Sequence, residues 1–118
     1  TTADREMCLV VQIETPAGVA ALDAILAVEG VDAVFIGPSD LSANYGHIGN
    51  PDAPEVVEAV QSSLDKIAAS DKASGIMALD PAAAKSYLDR GVDFVAVSID
   101  ARTLALSLRA IAADMRNR

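Results

Sequence analysis

The chain has no tryptophan, only two Tyr and two Phe, one cysteine and no cluster of Lys or Arg, and each absence removes a class of protein. So few aromatics exclude a core built around large ring anchors. A lone Cys8 cannot close an internal disulfide, which fits a reduced, cytoplasmic setting. Set at the start of an apolar run, it reads as a core residue and not a nucleophile. A formal charge of −8 without a basic patch excludes a nucleic-acid or anionic-membrane surface, because either needs cations facing phosphate. No run approaches the roughly 20 apolar residues of a membrane span. Neither a GxGxxG nor a Walker-type phosphate loop occurs. The chain opens on the polar segment Thr1 to Glu6 and not on an initiator Met, so it is expected to be a piece of a longer polypeptide.

What is present is small and aliphatic. With 52% hydrophobic residues in 118, the chain can build one core, so residues 1–118 are expected to form a single unit. Four short apolar, β-branched runs read as strands: Cys8 to Ile13, Ala33 to Gly37, Gly75 to Leu79 and Phe94 to Ile99. They are almost continuously hydrophobic, as strands of a parallel sheet are when helices or other strands cover both faces. Four helical patterns alternate with them. Thr15-Pro16 opens the first, and Gly30 lies just past its end. Asp52 and Glu55 have capping-box spacing ahead of the second. Asp80-Pro81 opens the third, which Gly91 closes, and Asp100 opens the last, with Leu104, Leu106, Leu108 and Ile111 as its apolar residues. The order is βαβαβαβα, an α/β chain, with one long polar connection from Pro38 to Ala53 where function is expected.

Four βα units make either a small doubly wound sheet or half of an eight-stranded barrel, which needs about 250 residues. In both, ligands bind at the carboxyl ends of the strands. Period-two alternation puts Val10, Gln12 and Glu14 on one side of the first strand, so an amide and a carboxylate point together at its end. Asp40 stands just beyond the second strand, after Gly37-Pro38, where glycine permits a close backbone approach. Two carboxylates at adjacent strand ends suit a hard divalent cation that recruits further oxygen ligands from water and substrate. The competing reading makes Glu14 and Asp40 simple caps of the segments that follow. The backbone N–H groups of Ser39 and Asp40 are placed to receive a carboxylate. Lys66, Lys72 and Lys85 fall within or just after helices, which leaves no Schiff-base lysine at a strand end. His47, the only histidine, reads as a solvated loop residue.

These segments resemble the HpcH/HpaI aldolase family. The likeness is carried by Val11-Gln12-Ile13-Glu14-Thr15, by Val28-Glu29-Gly30-Val31-Asp32-Ala33-Val34-Phe35-Ile36-Gly37-Pro38-Ser39-Asp40-Leu41-Ser42-Ala43, by Tyr45-Gly46 and Gly49-Asn50-Pro51 before Pro54-Glu55-Val56, and by Phe94-Val95-Ala96-Val97 with Asp100. It implies a class II pyruvate aldolase on a (β/α)8 TIM barrel, with this chain as the carboxyl-terminal half, strands five to eight. By the same resemblance Glu14 and Asp40 match metal ligands for Mg²⁺ or Mn²⁺, with Co²⁺ also compatible. Gln12 matches a substrate-contacting residue, and the amides of Ser39 and Asp40 match those that hold the pyruvate carboxylate.

The implied reaction cleaves a 4-hydroxy-2-oxo acid to pyruvate and an aldehyde, with Met77 and Ile99 bordering the aldehyde. The family's catalytic histidine and arginine belong to the amino half, and nothing here matches them. Ser98 stands where the family's last strand carries glycine. A lone half barrel has two exposed sheet edges and an uncovered interior face, so it is expected to associate with the missing amino half or as a homo-oligomer. Two other readings stay open: a non-catalytic half-barrel that binds metal and carboxylate, and a lyase of the citrate-lyase type.

Overall fold

The computed structural model describes residues 2–116. A single turn, α1 (Ala3–Glu6), precedes β1 (Val10–Ile13), α2 (Pro16–Ala20), α3 (Leu22–Leu26), β2 (Ala33–Ile36), α4 (Pro38–Asn44), α5 (Pro54–Ala68), β3 (Ala73–Ala78), α6 (Pro81–Asp89), β4 (Phe94–Val97) and α7 (Asp100–Arg116). The four strands pair in parallel in the order β1-β2-β3-β4, each beside its sequence neighbour. Such an order progresses in one direction across the sheet, as barrel staves do.

The helix starts follow the local chemistry. Thr15 accepts a bond from the Gly18 amide at 3.0 Å and Asp80 accepts one from Ala83 at 2.9 Å, each just ahead of a proline that needs no amide partner. The expected first helix is two short ones, α2 and α3, hinged at Ala21. The expected capping box at Asp52 and Glu55 does not form. Pro54 takes the first helical position, the cap falls on Ala53, and the Glu55 carboxylate is bound to the His47 imidazole.

The core lies on one side of the sheet. Ile13, Val34, Ile36 and Ile76 point into a cluster with Leu22 from α3, Leu41 from α4, and Val56, Val60, Leu64 and Ile67 from α5. Helices thus cover one face only, as a half barrel with an uncovered interior face requires. Among the described residues no helix of the core cluster lies against the opposite face, with Val10, Gln12, Phe35, Met77 and Phe94, and Phe94 is 38% exposed. On that face Gln12, Phe35, Gly75 and Phe94 stand in register across all four strands. The Phe35 and Phe94 rings stack at 5.6 Å over Gly75, where a Cβ would meet the Phe94 ring at 2.2 Å.

Cys8 is also corrected: it precedes β1 and is exposed, because it lies at the edge of the sheet with a strand on one side only. Helix α7 buries no residue, so its stripe of Leu104, Leu108 and Ile111 faces solvent. Its 17 residues, about 25 Å at 1.5 Å per residue, contribute to a longest dimension of 60 Å.

At the amino end of the sheet a short pattern recurs, Gly30-Val31-Asp32-Ala33-Val34 and Gly91-Val92-Asp93-Phe94-Val95. In both copies the glycine adopts a positive φ, the first valine is buried, and the aspartate accepts a backbone amide of the preceding strand segment. Asp32 takes Leu9 at 2.7 Å and Asp93 takes Ser74 at 2.7 Å. The repeat is a latch that sets register from a βα unit to its neighbour.

Candidate metal and oxo-acid site

At the carboxyl end of the sheet the exits of β1 and β2 meet over Gly37. A Cβ built there would lie 2.9 Å from Gln12 Nε2 and 3.4 Å from Glu14 Oε2. The amide and the carboxylate thus come together above one α-carbon, as alternation along β1 requires, and only a residue without a side chain leaves them room. Gly37 also anchors the corner, its N–H donating to the Ile13 carbonyl at 3.0 Å.

Pro38 then starts α4, with Ser39 and Asp40 in its first turn, where helical amides have no partner within the helix. A cleft of about 190 Å³ opens here, lined by Gln12, Phe35, Gly37, Ser39, Asp40, Met77, Leu79 and Ile99. Five of the six sequence-derived positions line it. The sixth, Glu14, adjoins it beside Gly37.

Glu14 is half-buried, whereas Gln12, Ser39 and Asp40 are exposed. The inward-facing polar groups therefore open onto the uncovered face instead of into a closed core. Among the described residues neither the Glu14 nor the Asp40 carboxylate takes part in a hydrogen bond or ion pair. No group of three or more His, Cys, Asp or Glu side chains gathers among the described residues. Two free carboxylates are hard oxygen donors that would leave most of a divalent cation's coordination to water and substrate.

Sequence reasoning missed three contributors. Phe35 and Leu79 add apolar wall to the cleft. Asn44, at the end of α4, donates from Nδ2 to the Asp40 carbonyl at 3.0 Å and to the Glu14 carbonyl at 3.1 Å. Its place four residues after Asp40, on the same helix face, was the available signal.

A larger cavity of about 240 Å³ lies between α5 and α6 and shares Met77 and Leu79 with the cleft. It is a poorer metal candidate: of its two carboxylates, Asp80 is committed to capping α6. Burial pushes the Tyr87 phenol there above its ordinary value, against the opposing charge of Arg90. His47 lines neither cavity. It is tied by its side chain to Glu55 and by its amide to the Ser42 carbonyl at 2.7 Å.

Residues 2–106 match the sequence profile described as HpcH/HpaI aldolase/citrate lyase. The chain belongs to the HpcH/HpaI family. It is 53% identical over 110 residues to a hydroxypyruvate/pyruvate aldolase of Pseudomonas aeruginosa, covering 93% of this chain and 41% of that protein. It is 49% identical over 111 residues to a 4-hydroxy-2-oxo-heptane-1,7-dioate aldolase of Escherichia coli, covering 94% and 42%. The solved structure of an HpcH/HpaI aldolase/citrate lyase family protein from Burkholderia cenocepacia superposes with a TM-score of 0.88 at 36% identity, over 98% of this chain and 45% of that one. The chain spans less than half the length of each. The expected fold, half of a barrel, agrees with that coverage and with the one-sided core.

Proposed function

We propose that this chain is the metal- and oxo-acid-binding half of a divalent-metal-dependent aldolase that cleaves a 4-hydroxy-2-oxo acid to pyruvate and an aldehyde. The observation that carries the reading is the pair of unpaired carboxylates, Glu14 and Asp40, at adjacent strand ends beside an apolar cleft. Two relatives whose names specify pyruvate or hydroxypyruvate and a 4-hydroxy-2-oxo diacid support the substrate class.

Glu14 and Asp40 would hold Mg²⁺, Mn²⁺ or Co²⁺, and a cation so bound supplies Lewis-acid polarisation of a 2-oxo acid's carbonyl. The Ser39 and Asp40 amides receive the substrate carboxylate, and Gln12 donates its amide hydrogens to a substrate oxygen. Met77, Ile99, Leu79 and Phe35 line the apolar side of the cleft, suited to the aldehyde portion. Proton transfer falls to another segment, since the only histidine is engaged in the Pro38–Ala53 connection.

The open face and the free edges of β1 and β4 call for a second layer, either four further βα units of an amino half or another copy of the chain. A cytoplasmic setting accords with an exposed free thiol at Cys8. No helix among the described residues is long and apolar enough to cross a membrane.

The test is calorimetric titration of Mn²⁺ with and without pyruvate, on the full-length polypeptide and on Glu14→Gln and Asp40→Asn. Removing either carboxylate is expected to weaken Mn²⁺ binding more than about 100-fold, beyond the 10–100-fold cost of disturbing a ligand's outer partners. Unchanged affinity in both variants sinks the assignment. Pyruvate release from a 4-hydroxy-2-oxo acid separates an aldolase from a non-catalytic module that binds the same metal.

A further inference from the structure

The amide of Asn44 joins two parts of the chain at the end of α4. One bond closes the helix turn onto the Asp40 carbonyl, and the other crosses 30 residues of sequence to the Glu14 carbonyl where the chain leaves β1. An amide nitrogen carries two hydrogens, so both bonds are held at once. The two acceptors are the backbone carbonyls of the residues whose carboxylates form the metal pair.

Asn44 is itself exposed and α4 is only seven residues long, so the side chain neither fills the core nor caps a long helix. Resting on the metal reading above, we infer that Asn44 is a positioning residue, which fixes the separation of Glu14 and Asp40 and thereby sets the affinity of the cation site. The Gly37 corner restrains the start of α4 through the Ile13 carbonyl, and Asn44 restrains its end, so the helix turn carrying Asp40 is held against β1 at two points.

Two substitutions separate positioning from charge. Asn44→Ala removes both bonds and is expected to weaken Mn²⁺ binding about tenfold, the lower end for loss of a ligand's outer partner. Asn44→Asp adds a negative charge near the cation, which by Coulomb attraction alone tightens binding. As a carboxylate it cannot donate to two carbonyl oxygens, so if the bridge governs affinity this variant also binds Mn²⁺ more weakly than the parent.

Thermal melts of the full-length variants are expected to match the parent, because Asn44 is at the surface. Parent-like affinity in Asn44→Ala, tighter binding in Asn44→Asp, or a collapse of the fold in either variant overturns the inference, the last by making the bond a structural one. Failure of the metal reading has a different signature, since Glu14→Gln and Asp40→Asn would then bind Mn²⁺ as the parent does.

Discussion

Carboxylates stand at both ends of this sheet, and those of Asp32 and Asp93 differ from those of Glu14 and Asp40 in what they bond. At the amino end the Asp93 carboxylate accepts the Ser74 amide at 2.7 Å and the Ser74 hydroxyl at 2.8 Å, and Asp32 accepts Leu9. At the carboxyl end the Glu14 and Asp40 carboxylates accept nothing among the described residues, although amides of α4 lie close by. A folded chain satisfies its polar groups where stability is the only demand. Glu14 and Asp40, free of protein partners at the cleft, are the groups that the proposed function assigns to a cation. The contrast agrees with the barrel principle that the carboxyl face holds chemistry and the amino face stability, if the proposed site is the one used.

The largest effect that could break this contrast comes from Glu14→Gln combined with Asp40→Asn. Metal binding is expected to disappear while the melting temperature stays level, since neither carboxylate makes a hydrogen bond or ion pair among the described residues that the substitutions would remove. A marked fall in melting temperature would make these residues structural and erase the difference between the two ends. Next in size is Gly37→Ala. The added Cβ would lie 2.9 Å from the Gln12 amide, the far end of a flexible side chain, and Gly37 has a φ of −106°, open to any residue. Stability should therefore change by less than about 1 kcal/mol while pyruvate affinity drops roughly tenfold as Gln12 is pushed aside. Equal pyruvate affinity in a titration of Mn²⁺-loaded protein would remove Gln12 from the site.

Most of this architecture was legible in the sequence because it rests on local signals. Thr15-Pro16 and Asp80-Pro81 announce their helices, and near-continuous runs such as Ala33-Val34-Phe35-Ile36 announce parallel strands. The same continuity does not say what does the covering, since an apolar run looks alike under helices and under other strands. The face of Phe35 and Phe94 is the interior face that a half barrel was expected to leave uncovered. Cys8 was misread as core because an edge segment is flanked on one side only. The Asp52–Glu55 capping box was lost to Pro54 and to His47, a competition that spacing cannot reveal. Gln12, Ser39 and Asp40 could be placed near one another from alternation and chain order, but the Asn44 bridge to Glu14 depends on the path of α4 across the sheet end, which no short-range pattern encodes.

A smaller effect tests the latch end. The bonds from Ser74, first from its amide and then from its hydroxyl, hold the Asp93 carboxyl below its ordinary value. Asp93 therefore binds protons less readily folded than unfolded. Its contribution is complete above the ordinary carboxylate pKa of about 4 and is lost as pH falls through that value toward the lower folded one. Because Asp93 is exposed, solvent screening limits Asp93→Ala to about 1 kcal/mol at neutral pH. Denaturant melts should give a constant gap between parent and variant from neutral pH down to about 5, closing below about 4. Mn²⁺ affinity should not change. A gap that widens in acid reverses the sign and removes the latch.

The smallest effect lies back at the carboxyl end. Ser98 has a φ of 67°, the left-handed region, immediately after β4, at the position where glycine was expected from the family resemblance. Holding a side chain there costs roughly 1–2 kcal/mol, whereas glycine adopts the conformation freely but loses more backbone entropy on folding, about 0.5–1 kcal/mol. The exposed contact between the Ser98 and Thr103 hydroxyls, at 3.2 Å, offsets little of that cost. Ser98→Gly is therefore expected to stabilise the fold by about 0.5 kcal/mol. A higher denaturation midpoint at unchanged Mn²⁺ affinity would place the strain outside the metal site, on the strand whose inner neighbour is missing. A lower midpoint would mean that the serine hydroxyl contributes more than its geometry indicates, and that both ends of the sheet are held by side-chain bonds.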